Sequence, residues 1–214
     1  MNKNIAAIIF DLDGVLVDAT EWHFNALNRT LTLFGFSISR YEHLSAYNGL
    51  PTRKKLEMLS VEKGLPTALH GLIGRLKQVY TREEIMAHCR PVFEKEYMIS
   101  RLRQEGYKLA VCSNSIRDSV ELMMRQSGLR SYLDLLMSNE DVKQPKPDPE
   151  MYVAAMSKLG CRPDEVVIVE DAPHGIEAAK RSGAYVCEVP GFEAVDYFRV
   201  TEFIRQVERK VERP

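Results

Sequence analysis

The feature that most constrains this chain is a repeated punctuation in its second half, where helix-like stretches stop at glycine and a short apolar run follows. Gly106 precedes the run 109–112, Gly128 precedes 133–137, Gly160 precedes 166–169 and Gly183 precedes 184–187. Glycine just past a helix end accepts the left-handed capping conformation. Continuous apolar runs of about four to six residues suit strands covered on both faces. This alternation predicts an α/β fold with a doubly wound, mostly parallel sheet between helices.

A further apolar run, 5–10, reads as the first strand, yet about a hundred residues separate it from the run 109–112. One crossover helix needs far fewer, so a segment is inserted. Within it Phe24, Leu27, Leu31 and Phe34 recur at helical spacing, as do Leu69, Leu72, Ile73, Leu76 and Tyr80, and no two-residue alternation appears across 18–88. Gly35, Gly49-Leu-Pro51 and Gly64-Leu-Pro66 divide it into segments. The expected organisation is an α/β core of residues 1–15 and 89–214 with a helical cap of residues 16–88, whose natural role is a lid. Val195, Phe198, Phe203, Val207 and Val211 suit a closing helix.

Length and charge narrow the function. A chain of 214 residues accommodates one core plus an insert. Lys+Arg 29 against Asp+Glu 30 gives a net charge of -1 with no run of five or six like charges, which lacks the electrostatic footprint of a nucleic-acid binder. The four cysteines, Cys89, Cys112, Cys161 and Cys187, form no Cys-x-x-Cys pair and read as reduced thiols. The run 5–10 is too short for a membrane span and has no signal-peptide pattern. The expectation is a soluble, cytoplasmic monomer without membrane or nucleic-acid partners.

Four polar islands each follow an apolar run or lie on the loop after one: Asp11-Leu-Asp13-Gly14, Ser113-Asn114-Ser115, Lys146 between Pro145 and Pro147, and Glu170-Asp171. In an open α/β sheet the strand ends face one crevice, so groups distant in sequence converge there. Asp11 and Asp13, two apart, aim to one side if the chain stays extended, and such neighbours need a cation between them or a proton on one. Ser113 and Ser115 suit either an anion site at a helix N-terminus or a plain N-cap. Lys146 on a stiff loop can neutralise phosphate oxygens, with Lys143 as competitor. Glu170 and Asp171 can reach one cation only if the backbone turns there. Oxygen ligands without His or Cys favour Mg²⁺ over zinc.

Together, the ordered set DLDG, SNS, KPDP and ED resembles the haloacid dehalogenase superfamily, in its β-phosphoglucomutase-like subfamily with a helical cap after the first strand. The resemblance covers residues 5 to about 189 and implies Mg²⁺ dependence and an aspartyl-phosphate intermediate. By motif, it implies Asp11 as nucleophile, Asp13 as general acid/base and Lys146 as charge clamp. It implies Ser113 and Asn114 as phosphate binders, and Asp11, Asp13, Glu170 and Asp171 as metal residues. Asp18 and His23 resemble the mutase Asp-x-x-x-x-His pattern, whereas Asn48 stands where mutases carry lysine; His23 and Thr52 are the candidate substrate contacts of the cap. Ala172 replaces the usual serine after the acidic pair, and His174 receives no role. An acid at position 13 argues against carbon–halogen cleavage. The expected activity is a phosphatase acting on a small phosphorylated metabolite, a sugar phosphate foremost, with a phosphosugar mutase and a non-catalytic phosphosugar-binding module as alternatives.

Overall fold

A computed structural model describes residues 5–211. The chain divides into two compact units, one formed by residues up to Asp18 and from Arg90 onward, the other by Ala19–Cys89.

The first unit is built on five parallel strands, β1 (Ala7–Phe10), β2 (Lys108–Cys112), β3 (Leu135–Met137), β4 (Val166–Glu170) and β5 (Tyr185–Glu188), in the order β3-β2-β1-β4-β5. All four residues of β1 and all five of β4 are buried, as expected for central strands of a two-sided sheet. Ile9, Ala110 and Ile168 share a cluster with Met151, Tyr152, Ala155 and Met156, which fixes the helix that crosses there. Gly106, Gly128, Gly160 and Gly183 all have positive φ, as the punctuation predicts. Strand β3 is shorter than the run 133–137, and at its start the exposed Asp134 carboxylate accepts the Leu109 N–H at 2.8 Å.

The registry sets the site. Phe10 is level with Val111 on one side and Val169 on the other. Residues 11, 112 and 170 therefore lie side by side, Asp11 just past β1 and the other two ending β2 and β4. Sequence-successive β1 and β2 adjoin while β4 joins the opposite edge of β1, so the connections diverge at β1, the arrangement that opens a crevice at the strand ends.

The second unit is helical. It comprises α1 (Thr20–Thr32), the short α2 (Arg40–Glu42) continuing as a π turn (His43–Tyr47), α3 (Thr52–Lys63) and α4 (His70–His88). Leu27, Leu31, Ile38, Tyr47, Leu56, Leu59, Leu65 and Ile73 form its buried cluster. Leu72, expected in the apolar stripe, is exposed.

The remaining helices belong to the first unit: α5 (Phe93–Gln104), α6 (Arg117–Gln126), α7 (Glu150–Leu159), α8 (Pro173–Arg181) and α9 (Tyr197–Val211). In α9 the buried apolar residues are Val200, Ile204 and Val207, whereas Phe198 is 71% exposed and rests edge-on against Tyr197. Val195 and Val207 of the expected stripe are buried, but Phe198 falls outside the face, which Val200 and Ile204 complete. No helix among the described residues is long and apolar enough to cross a membrane. All four cysteines are free thiols, and Cys89, Cys112 and Cys187 are buried.

Candidate active site

Asp11 follows β1 directly, its N–H donating to Val169 O at 3.0 Å as the last rung of the sheet. The chain then curls. Leu12 O accepts the N–H groups of Leu16 and Val17, both at 3.0 Å, and Gly14 takes φ +92°. Asp13 bridges to Val17 within this curl instead of continuing β1 against a neighbouring strand. It lies in the curl, where Oδ2 accepts the hydroxyls of Ser113 at 3.2 Å and Ser115 at 3.0 Å. This contact explains why the serines do not cap a helix. Helix α6 starts only at Arg117, whose N–H donates to Glu140 at 2.8 Å.

Lys146 occupies the centre. Its Nζ donates to Asp11 Oδ1 at 2.6 Å, Glu170 Oε1 at 2.7 Å and Cys112 O at 2.8 Å, so one ammonium ties together the ends of the three middle strands. Lys146 is 2% exposed, and its Nζ lies 4.7 Å from the centre of the Tyr152 ring. Burial opposes the charge, but the Asp11 and Glu170 carboxylates outweigh it and hold the ammonium above its usual range. Lys143, the competitor, is exposed. The loop is placed by Asn114, whose Oδ1 accepts the Lys146 N–H at 3.1 Å and whose Nδ2 donates to Lys146 O at 3.2 Å.

The backbone turns at the acidic pair, as sharing a cation requires. Asp171 N–H and Ala172 N–H both donate to Glu170 Oε2, at 3.0 and 3.3 Å. Glu170 Oε1 accepts Lys146 and, at 2.6 Å, the Tyr152 hydroxyl. Each Glu170 oxygen thus faces two donors, the full capacity of a carboxylate oxygen.

Two glycines make room. A Cβ at Gly14 would fall 2.2 Å from Asp171 Oδ2, and one at Gly175 would fall 1.9 Å from Glu170 Oε1.

Asp11, Glu170 and Asp171 each present an oxygen within 4.8 Å of the others. Asp171 Oδ1 is buried with no hydrogen-bond partner. Burial first, then the Glu170 charge, pushes the Asp171 carboxyl up to about 7, and the same causes raise Asp11 well above the carboxylate range despite Lys146. Buried oxygens with one orphan and an excess of negative charge fit a hard divalent cation.

Sequence reasoning missed Tyr152 and Gly175. Tyr152 lies among the apolar residues of α7 and reads as core, although a hydroxyl in such a stripe needs a partner and could have signalled the site. Gly175 reads as a loop residue but lies inside α8, a costly position for glycine unless something approaches closely. The other two candidates belong to the helical unit. There His23 Nδ1 is 3.1 Å from Lys77 Nζ, and Thr52 opens α3.

A parallel sheet whose central strands deliver a carboxylate and an acidic pair to one point, met there by a buried ammonium from the loop after β3, defines a class of hydrolase built on an α/β core. The chain belongs to the haloacid dehalogenase-like hydrolase family, whose model matches residues 8–189. It is 29% identical over 183 residues to the pyrophosphatase PpaX of Bacillus velezensis, covering 85% of this chain and 82% of that protein. It is also 29% identical over 179 residues to a phosphorylated carbohydrates phosphatase of Thermotoga maritima, covering 83% and 81%. Among solved structures it is similar to CbbY of Rhodobacter sphaeroides in complex with phosphate, at a TM-score of 0.79 and 25% identity over 88% of this chain and 87% of that one.

Proposed function

We propose that this enzyme is a Mg²⁺-dependent phosphatase that hydrolyses a small phosphorylated metabolite through an aspartyl phosphate on Asp11. The observation that carries the reading is the Lys146 ammonium shared between Asp11 and Glu170 beside the unpartnered Asp171 oxygen. The relatives act in the same chemistry by name, one on pyrophosphate and one on phosphorylated carbohydrates.

Asp11 keeps Oδ1 on Lys146, which leaves Oδ2 to attack phosphorus and fixes the attack direction. Lys146 is positioned to neutralise charge that develops on the phosphoryl oxygens. Asp13, oriented by the two serine hydroxyls, protonates the departing oxygen and then takes a proton from the water that cleaves the intermediate. Mg²⁺ would be held by Asp11, Glu170, Asp171 and the Asp13 backbone carbonyl, and when bound it would supply electrostatic stabilisation of the phosphoryl group. Glu170 and Asn114 act through Lys146, the first holding its ammonium and the second its backbone. Ser113 acts through Asp13. His23 and Thr52 are assigned to substrate selection within the cap unit.

The test is turnover of a panel of phosphorylated metabolites with and without Mg²⁺. Asp11→Asn is expected to abolish hydrolysis while thermal unfolding stays cooperative. Metal-dependent hydrolysis retained by that variant would reject the mechanism.

A further inference from the structure

The Lys146 ammonium has three N–H groups, and all three are engaged, by Asp11 Oδ1, Glu170 Oε1 and Cys112 O. It can offer one to a phosphoryl oxygen only by turning it away from an oxygen that it already holds. The two carboxylate oxygens differ in what that would leave behind. Among the described residues Lys146 is the one donor to Asp11 Oδ1, whereas Glu170 Oε1 also accepts the Tyr152 hydroxyl at 2.6 Å. Glu170 is 1% exposed, and its other oxygen is fixed by the N–H groups of Asp171 and Ala172. A buried carboxylate oxygen stripped of its last donor is costly, so Glu170 Oε1 is the carboxylate oxygen that Lys146 can leave. The Tyr152 ring is buried as well and lies beside the same ammonium. Tyr152 therefore touches both partners of the contact that has to loosen.

We propose that Tyr152 is a positioning residue for the phosphoryl step: its hydroxyl holds Glu170 Oε1 in place while one Lys146 N–H passes from that oxygen to the phosphoryl group. The ammonium can then follow the charge that develops in the transition state without stranding Glu170. The kinetic consequence rests on the phosphatase reading, whereas the binding measurements below need no turnover.

The test compares the wild type with Tyr152→Phe, which keeps the ring and removes the hydroxyl. Hydrolysis of p-nitrophenyl phosphate is followed by steady-state kinetics, and binding of orthovanadate and of inorganic phosphate by calorimetry, all with MgCl₂ present. Orthovanadate mimics the five-coordinate phosphoryl group. The variant is expected to lose roughly tenfold to a hundredfold in kcat with little change in KM. Its Kd for vanadate should rise by a similar factor while its Kd for phosphate changes far less. A hydroxyl that only satisfies the core would lower Tm and leave both kcat and the ratio of the two affinities as they were. That result overturns the proposal, as does a change confined to KM.

A second measurement places 3-fluorotyrosine at position 152, which retains the hydroxyl and holds whether or not the phenylalanine variant folds. Its ¹⁹F resonance should move when vanadate binds, and a resonance that bound vanadate leaves unmoved overturns the proposal. A wild type that turns over no ester but binds vanadate in a Tyr152-dependent way would remove the phosphatase reading and leave the role of Tyr152 standing. A wild type that does not bind vanadate overturns both.

Discussion

Lys146 shows how a single side chain carries both fold and chemistry. A buried ammonium is tolerable only when its charge is matched, and here two carboxylates and a strand-end carbonyl match it. Gly175 protects that arrangement, because any side chain there strikes the Glu170 carboxylate. Gly175→Ala is expected to lower stability by about 2 kcal/mol and kcat by roughly a hundredfold, since displacing Glu170 releases Lys146. Denaturant melts and steady-state kinetics check this, and a variant with normal kcat would contradict it. Asp171 gives a pH signature. In the metal-free protein folding raises its pKa from 3.8 to about 7, chiefly by burial. The contribution to stability is therefore whole below about pH 4 and is lost as pH rises through about 7. A bound cation favours the carboxylate, so the rise in Tm on adding saturating MgCl₂ should be larger at about pH 8 than at about pH 5. Equal gains at the two pH values would count against Asp171 as a ligand.

At the scale of elements, the loops after β2 and β3 are sewn together. Asn139 Nδ2 donates to Asn114 O at 2.9 Å, and the Asn114 side chain clasps the backbone of Lys146 in both directions. Asn114→Ala is expected to cut kcat by roughly tenfold to a hundredfold with little change in KM, because Lys146 loses its placement while substrate contacts remain. A change confined to KM would instead mean that Asn114 touches the substrate. The strands were legible because continuous apolar runs such as 166–169 have few alternatives in a two-sided sheet. The polar islands were legible because their residue types and order are unusual at strand ends. What stayed hidden depends on side-chain direction. Spacing shows neither that Ser113 and Ser115 turn to Asp13 instead of capping α6, nor that Glu170 spends its oxygens on Lys146, Tyr152 and two backbone N–H groups. In α9 Phe198, Val200 and Ile204 are all apolar, and only packing selects Val200 and Ile204 over Phe198 beside Val207.

Across the whole molecule, the parallel sheet places chemistry where its two central loops diverge. The insertion of the helical unit Ala19–Cys89 after β1 leaves the sheet registry untouched, so Phe10 still meets Val111 and Val169 and the groups beyond them still converge. The account depends on phosphorylation of one residue. Acid quenching of a single turnover with saturating substrate and Mg²⁺, followed by peptide mass spectrometry, should find the Asp11 peptide heavier by one phosphoryl group at early times and unmodified later. Complete hydrolysis with no phosphorylated Asp11 at any quench time would contradict it.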